Sequence, residues 1–344
     1  MSGIRRLAWV ALVLGFGHVV FGAIVRITGS GLGCGDHWPK CHGYWVPPFD
    51  RPDLIIEVSH RYFAATLSLA VVALLVAAWR RRGDPGVSGP NGVLRPAALG
   101  AVLVIAAALF GAVVVKLELT NKAVIVTHLA IAMALLAALV TTILRAGGPP
   151  RIPEYASFAD GPSSFERATY QIHSLAPWLA SAKTARTSAV AAILVFCALV
   201  LGALTAHVPG ANSACQGFPL CRGGLLPAAP IQNIQFVHRL LAFGVLLHLL
   251  GVSVMTARRG ERRMSSLAWL CVGVCCLQIA VAAVMVELQL PPVWRSLHEA
   301  VGTLLWIVTF GFALVARRTS QGLEGAMVPA PKPRVPSLGA EARA

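Results

Sequence analysis

Four histidines hold matched places in this chain. His60, His128, His238 and His298 each fall within the first turn or so of a long apolar run, one histidine to a run. If those runs cross a bilayer in alternating directions, all four imidazoles lie at one depth, just below the outer surface. An ionisable group at that depth is costly and points to function, the plain alternative being a hydrogen-bonded packing residue. Repetition at one depth favours ligation over packing. Two histidines to each group of four runs are too few for a zinc or copper site, which takes three or four protein donors. They suit a haem iron, which asks the protein only for axial ligands. The other histidines break the pattern. His18, His207 and His248 lie on apolar runs without a counterpart and read as packing residues, His37 and His42 fall in a loop, and His173 in the middle segment.

Arg61 and Arg239 directly follow His60 and His238. A cation in that place either pairs with a haem propionate or snorkels to the membrane surface. The repetition has one telling break. Glu57 stands three residues before His60, whereas Gln235 stands three before His238. Residues three apart share a helix face, so only the first histidine pair has a carboxylate about one turn, roughly 5 Å along the axis, from a ligand.

Cysteines cluster where these runs are joined. "GSGLGCGDHWPKCHG", residues 29–43, carries Cys34 and Cys41, and "NSACQGFPLCRGG", residues 212–224, carries Cys215 and Cys221. Each pair is spaced to close a small loop on the outer face, where disulfides form. The expected bonds are Cys34–Cys41 and Cys215–Cys221, with a zinc site as the less favoured alternative. Such a bond is either structural or, if exposed, redox-active. Cys197, Cys271, Cys275 and Cys276 fall inside apolar runs and read as small packing residues.

The elements that must position these groups are membrane helices. The chain of 344 residues is 56% hydrophobic and only 12% charged, about half the charge of an ordinary soluble domain. Runs long enough to span occur near 7–25, 57–78, 97–115, 124–144, 187–206, 236–256, 266–286 and 297–316. The first follows Arg5 and Arg6 as a signal peptide would, but it lacks a clear cleavage site and is long enough to span. The net charge of +15 is a topology signal and no evidence of nucleic acid. Outside the C-terminal tail, 17 Lys and Arg lie on the side that holds both ends of the chain and 9 on the other. Both termini are therefore expected in the cytoplasm.

A Pro-, Gly- and Ser-rich stretch, "AGGPPRIPEYASFADGPSS", divides the eight runs into two groups of four. The groups echo each other. "IIEVSHRYFAATLSL" matches "NIQFVHRLLAFGVLL", and "VVKLELTNKAVIVTHLA" matches "VMVELQLPPVWRSLHEA". With four spans each, the repeats run parallel about an axis along the membrane normal. The expected architecture is all-α and membrane-integral: a four-helix bundle over 1–144, a cytoplasmic linker over 145–186, a second bundle over 187–318 and a disordered cytoplasmic tail over 319–344.

In "RITGSGLGCGDHWPKCHG", "EVSHRYFA", "FPLCRG" and the four single histidines on alternate runs, the chain resembles the haem A synthases over nearly its whole length. The resemblance implies an oxidation of haem O to haem A, a ring methyl becoming a formyl group in two successive steps. It implies a haem b on His238 and His298 and the substrate haem on His60 and His128. It also implies a product that serves haem-copper terminal oxidases, in a bacterial cell membrane, with both haem sites near the outer face. Partners consistent with that role are the haem O synthase, oxidase assembly factors and a second copy of the chain. Within this reading Glu57 is the catalytic candidate: an anion there would stabilise positive charge developing at the methyl, or position a water. The alternative is a solvated acid at a helix start, where negative charge is favoured anyway. A di-haem b electron-transfer cytochrome and a transporter with parallel repeats are the competing functions.

Overall fold

The computed structural model describes residues 1–35, 37, 40–147, 164–221, 226–227 and 229–327. Eight α-helices carry the chain: α1 (Ser2–Ile27), α2 (Pro52–Arg80), α3 (Leu94–Lys116), α4 (Lys122–Ala146), α5 (Ser164–His207), α6 (Gln232–Arg258), α7 (Arg262–Glu287) and α8 (Pro292–Met327). Each contains one of the expected apolar runs, and each is long and apolar enough to cross a membrane. The helices outrun the apolarity because backbone hydrogen bonding does not stop where lipid does. The extension is largest in α5, which begins inside the segment read as linker. "WLASAKTAR", residues 178–186, is made chiefly of strong helix formers. Thr184 there donates to the Glu261 carboxylate at 2.9 and 3.1 Å, tying α5 to the α6–α7 turn. Burial pushes the Glu261 carboxyl above its ordinary value, a rise that the Thr184 bond partly offsets. Residues 148–163 of the expected linker and 328–344 of the expected tail lie outside the described residues.

Local chemistry sets the helix ends. α1 stops where Thr28 turns its hydroxyl back to the Ile24 carbonyl at 2.8 Å, and Gly29 then takes a left-handed φ of 72°. Pro52 opens α2 with Asp53 in its first turn, where a missing N–H and a negative charge are both favourable. α4 is capped by Asn121, whose side chain accepts from the Val124 N–H at 3.2 Å. The α3–α4 and α7–α8 turns share an unusual form. Glu118 and Leu119 take φ of 49° and 59°, and Gln289 and Leu290 take 62° and 64°. Consecutive non-glycine residues in that region cost about 1–3 kcal/mol each. The same strained pair at the same place in both halves is a backbone counterpart of the sequence repeat.

Helices α1 to α4 pack in a ring, each against the next and α4 against α1, and α5 to α8 do the same. α8 also packs on α1 and α4, and α4 on α5. Polar contacts cross this seam, among them Arg26 to Glu299 at 2.8 Å, the Trp306 indole N–H to the Met133 carbonyl at 2.9 Å, and Arg318 to the Leu144 carbonyl at 2.6 Å. A single apolar core runs through both rings, with Leu74, Leu136, Leu139, Leu249 and Phe312 among its fully buried members.

Candidate functional site

Each of the two cysteine loops is held by the helix that follows it. Cys34 and Cys41 are bonded with their Cα atoms 4.9 Å apart, and Cys215 and Cys221 with theirs 4.7 Å apart. Cys34 and Cys41 are completely buried and pack on Leu54 and Val58 of α2. Glu57, also on α2 and only 3% exposed, accepts the Cys34 N–H at 2.8 Å and an Arg61 N–H at 2.5 Å. The second half repeats the device with an amide: Gln235 accepts the Cys215 N–H at 2.9 Å. A solvated acid at a helix start is therefore not what Glu57 is. It is a buried carboxylate fixed by two donors.

The sequence offers Arg61 and Arg239 as propionate partners; the structure turns their terminal nitrogens onto the loops. Arg61 donates to the His37 carbonyl at 2.7 Å as well as to Glu57. Arg239 donates to the carbonyls of Cys215 and Gly217, both at 2.7 Å, and of Pro219 at 3.4 Å. The physical reason is that a tight loop leaves carbonyls without backbone partners, and a guanidinium one turn below can reach several at once. His37 and His42 also serve the loop, bonding the Cys34 and Gly33 carbonyls at 3.1 and 3.0 Å.

With all four cysteines shielded, the loop bonds suit a structural role, since labile disulfides are the strained or exposed ones. Mass spectrometry of unreduced, alkylated protein is expected to find Cys34 linked to Cys41 and Cys215 to Cys221. Alkylation of Cys34, Cys41, Cys215 and Cys221, in addition to the four cysteines inside the helices, would refute both pairings.

Beneath the loops lie the histidines. His238 on α6 and His298 on α8 line one cavity inside the second ring, together with Leu199, Phe243 and Gln278. His298 Nε2 sits 3.4 Å from the Gln278 amide nitrogen. In the first ring, His60 on α2 faces Gly22 of α1 and His128 on α4 faces Gly111 of α3. Glycines let the neighbouring helices approach these rings. A Cβ on Gly202 would meet His238 Cε1 at 3.1 Å, and one on Gly22 would meet His60 Cε1 at 3.4 Å. In all four histidines Nδ1 is buried and lacks a hydrogen-bond partner. The Ala107 carbonyl faces His128 and the Ala198 carbonyl faces His238, each outside good hydrogen-bond geometry. A buried unpaired imidazole nitrogen costs about 1–3 kcal/mol. Such a cost is understandable where Nδ1 itself is kept for a metal ion, which a neutral imidazole can ligate through either nitrogen.

His18 is a site residue that the sequence leaves among the packing groups. Its ring stacks on His60 with centroids 4.2 Å apart and planes 9° from parallel, and it meets Phe63 edge-on. The Gly22–Gly202 correspondence places Ala198 at the equivalent point of the second ring, where it lines the cavity. The two histidine sites thus differ in Glu57 against Gln235 and in His18 against Ala198, among other positions. The other two unmatched histidines bond helix carbonyls: His207 that of Ala203 at 2.7 Å and His248 that of Thr187 at 2.9 Å.

Comparison with known proteins agrees with this arrangement. Residues 5–310 match the family model described as cytochrome oxidase assembly protein. The haem A synthase of Alkalihalophilus pseudofirmus is 31% identical over 255 residues, covering 72% of this chain and 74% of the relative. That of Staphylococcus aureus strain RF122 is 30% identical over 71% of this chain and 72% of the relative. That of Geobacillus thermodenitrificans is 29% identical over 70% and 68%. With eight membrane-length helices, two capped histidine sites and a family match across nearly all the described helices, this chain belongs to the cytochrome oxidase assembly family that contains the haem A synthases.

Proposed function

We propose that the protein is a haem A synthase, a membrane oxidoreductase that converts a ring methyl of haem O to the formyl group of haem A. The observation that carries this reading is the pairing of four single histidines on alternate helices with Glu57, a carboxylate only 3% exposed on the helix of the first pair, where the second pair has Gln235. The relatives of the same family carry the same name. A di-haem b electron-transfer cytochrome is not favoured by those comparisons. In the reading we adopt, His60 and His128 hold the substrate haem, and His238 and His298 hold a resident haem b. The bound haems supply the redox chemistry; the protein supplies orientation and electrostatics.

The donor set fits that assignment. Each pair offers two neutral-capable imidazoles, and the second pair shares an apolar cavity. Asn212 and Phe218 of the second loop line the cavity of His238 and His298, and the first loop is tied to α2 through Glu57 and Arg61. Glu57 holds a fixed negative charge one helix turn from His60, so positive charge developing near that site is stabilised without rearrangement of the protein. Its bonds to Cys34 and Arg61 prevent it from turning away.

The remaining features of this reading are topological. The two rings are parallel repeats, with residues 1–144 forming the substrate bundle and 187–318 the haem b bundle. Both termini face the cytoplasm, and the histidine sites lie near the outer face of a bacterial cell membrane. The basic residues near the helix ends and the matched turns at Glu118–Leu119 and Gln289–Leu290 support this. Haem O synthase, oxidase assembly factors and a second copy of the chain are the partners this role would bring.

The direct test is mass analysis of the haems extracted from purified protein. The expected result is haem b together with haem O or haem A. Haem b alone would support the electron-transfer cytochrome, and no haem at all would remove both readings.

A further inference from the structure

The cavity that holds His238 and His298 carries two arginines at its rim besides Arg239: Arg26 and Arg295. Their origins differ. Arg295 is on α8, one turn before His298, whereas Arg26 reaches in from α1, which belongs to the other ring. Arg239 does not offer its terminal nitrogens to the cavity, because loop carbonyls take them. Arg26 is anchored by a single bond to Glu299 at 2.8 Å, which leaves its other donors open. Arg295 has no hydrogen-bond or ion-pair partner for its side chain among the described residues, although it is half-buried. A guanidinium partly withdrawn from water and left unpaired is a poor structural element and a good anion receptor.

The matched positions of the first site hold no such group. The residues corresponding to Arg295 and Glu299 are Ile125 and Leu129, by the His128–His298 match. The residue corresponding to Arg26, by the Gly22–Gly202 match, is Ala206. The rim cations are therefore a property of one site and not of the repeat.

We propose that Arg26 and Arg295 form a carboxylate-binding subsite, built across the seam between the rings, that takes the propionates of the haem on His238 and His298. The proposal rests on the haem assignment above. It gives the two sites different tasks. The second site grips a dianionic macrocycle by charge as well as by its iron and so retains it. The first lacks this grip and can exchange substrate for product. It also makes the resident site incomplete without α1, so neither ring holds that haem alone.

The test compares two probes that differ only at the carboxylates. Apoprotein in detergent, every version (wild type at the second site or variant) carrying His60→Ala and His128→Ala so that only the second site can form a bis-histidine complex, is titrated with haem b and with haem b dimethyl ester, and each affinity is read from the absorbance of that complex. Wild-type protein is expected to favour the free acid by on the order of 100-fold, as charge-assisted hydrogen bonds to two carboxylates would give. In Arg295→Gln the preference falls to about 10-fold or less, through weaker binding of the acid and not of the ester. The double variant Arg26→Gln with Glu299→Gln, which removes the ion pair without leaving an unpaired charge, has the same effect. If wild type binds both probes equally, or if the variants weaken both probes alike, the subsite is refuted. His238→Ala and His298→Ala are the controls. Tight binding of either probe by those variants would overturn the underlying haem assignment instead.

Discussion

Replacing His298 or His238 with alanine is expected to abolish the resident haem b signal while the chain still accumulates in the membrane. Both imidazoles face one cavity, and neither Nδ1 is tied into the protein by a hydrogen bond. Little in the fold depends on either ring, and the helices around them are fixed elsewhere. The α8 helix is held by Trp306 and Arg318 through bonds to α4. Loss of affinity should exceed the roughly 10–100-fold that follows removal of an outer partner of a metal ligand. The measurement is the reduced-minus-oxidised spectrum of purified protein at matched protein concentration. His248→Ala is the comparison, because His248 bonds the Thr187 carbonyl and is not among the residues lining the cavity. A normal haem b spectrum in both His298→Ala and His238→Ala would remove these residues from the site.

The second large effect is expected at Glu57. Glu57→Gln has a structural control built into the molecule. Gln235 occupies the equivalent position and accepts the Cys215 N–H at 2.9 Å, as Glu57 accepts the Cys34 N–H at 2.8 Å. The amide can therefore keep the loop closed while removing the charge. What is lost is the ion pair to Arg61, which is partly open to solvent, and the fixed anion beside the substrate site. If Glu57 only secures the loop, haem A production stays near wild type. If it stabilises charge at the reacting methyl, the variant keeps its haem b but accumulates haem O or a partly oxidised alcohol. Loss of one such contact slows a reaction by roughly 10²–10³, or about 3–4 kcal/mol in the barrier. The ratio of haem A to haem O in membranes, at equal protein level, distinguishes the two.

The eight spans are legible in the sequence because lipid demands about 20 apolar residues for each crossing. The positions at which helices end are less so. Ser164–Ala180 and Arg317–Met327 are helical without being continuously apolar. The four histidines stand out because matching stretches of sequence carry them, and that same reliance on matched positions hides His18. It has no counterpart, so its stack on His60 emerges only when α1 and α2 are packed. Arg61 and Arg239 illustrate a different limit. An arginine beside a ligand is chemically suited to a propionate, but its choice depends on which loop carbonyls fold within reach. Arg26 and Arg295 lie far apart in the chain and in different rings. Nothing in either local sequence marks them as neighbours.

The seam between the rings has a consequence for how the protein comes apart. α8 buries Phe312 and Trp306 in a core that also contains Leu136 and Leu139 of α4, and the Trp306 indole caps a carbonyl of that helix. Two duplicated units that began as independent folds would be expected to denature in two steps. Here the last helix of one unit completes the core of the other. Withdrawing it would expose apolar surface and strand a backbone acceptor at once. The two rings are therefore expected to unfold as one cooperative unit, in which the stability of either is not a property of its own four helices alone.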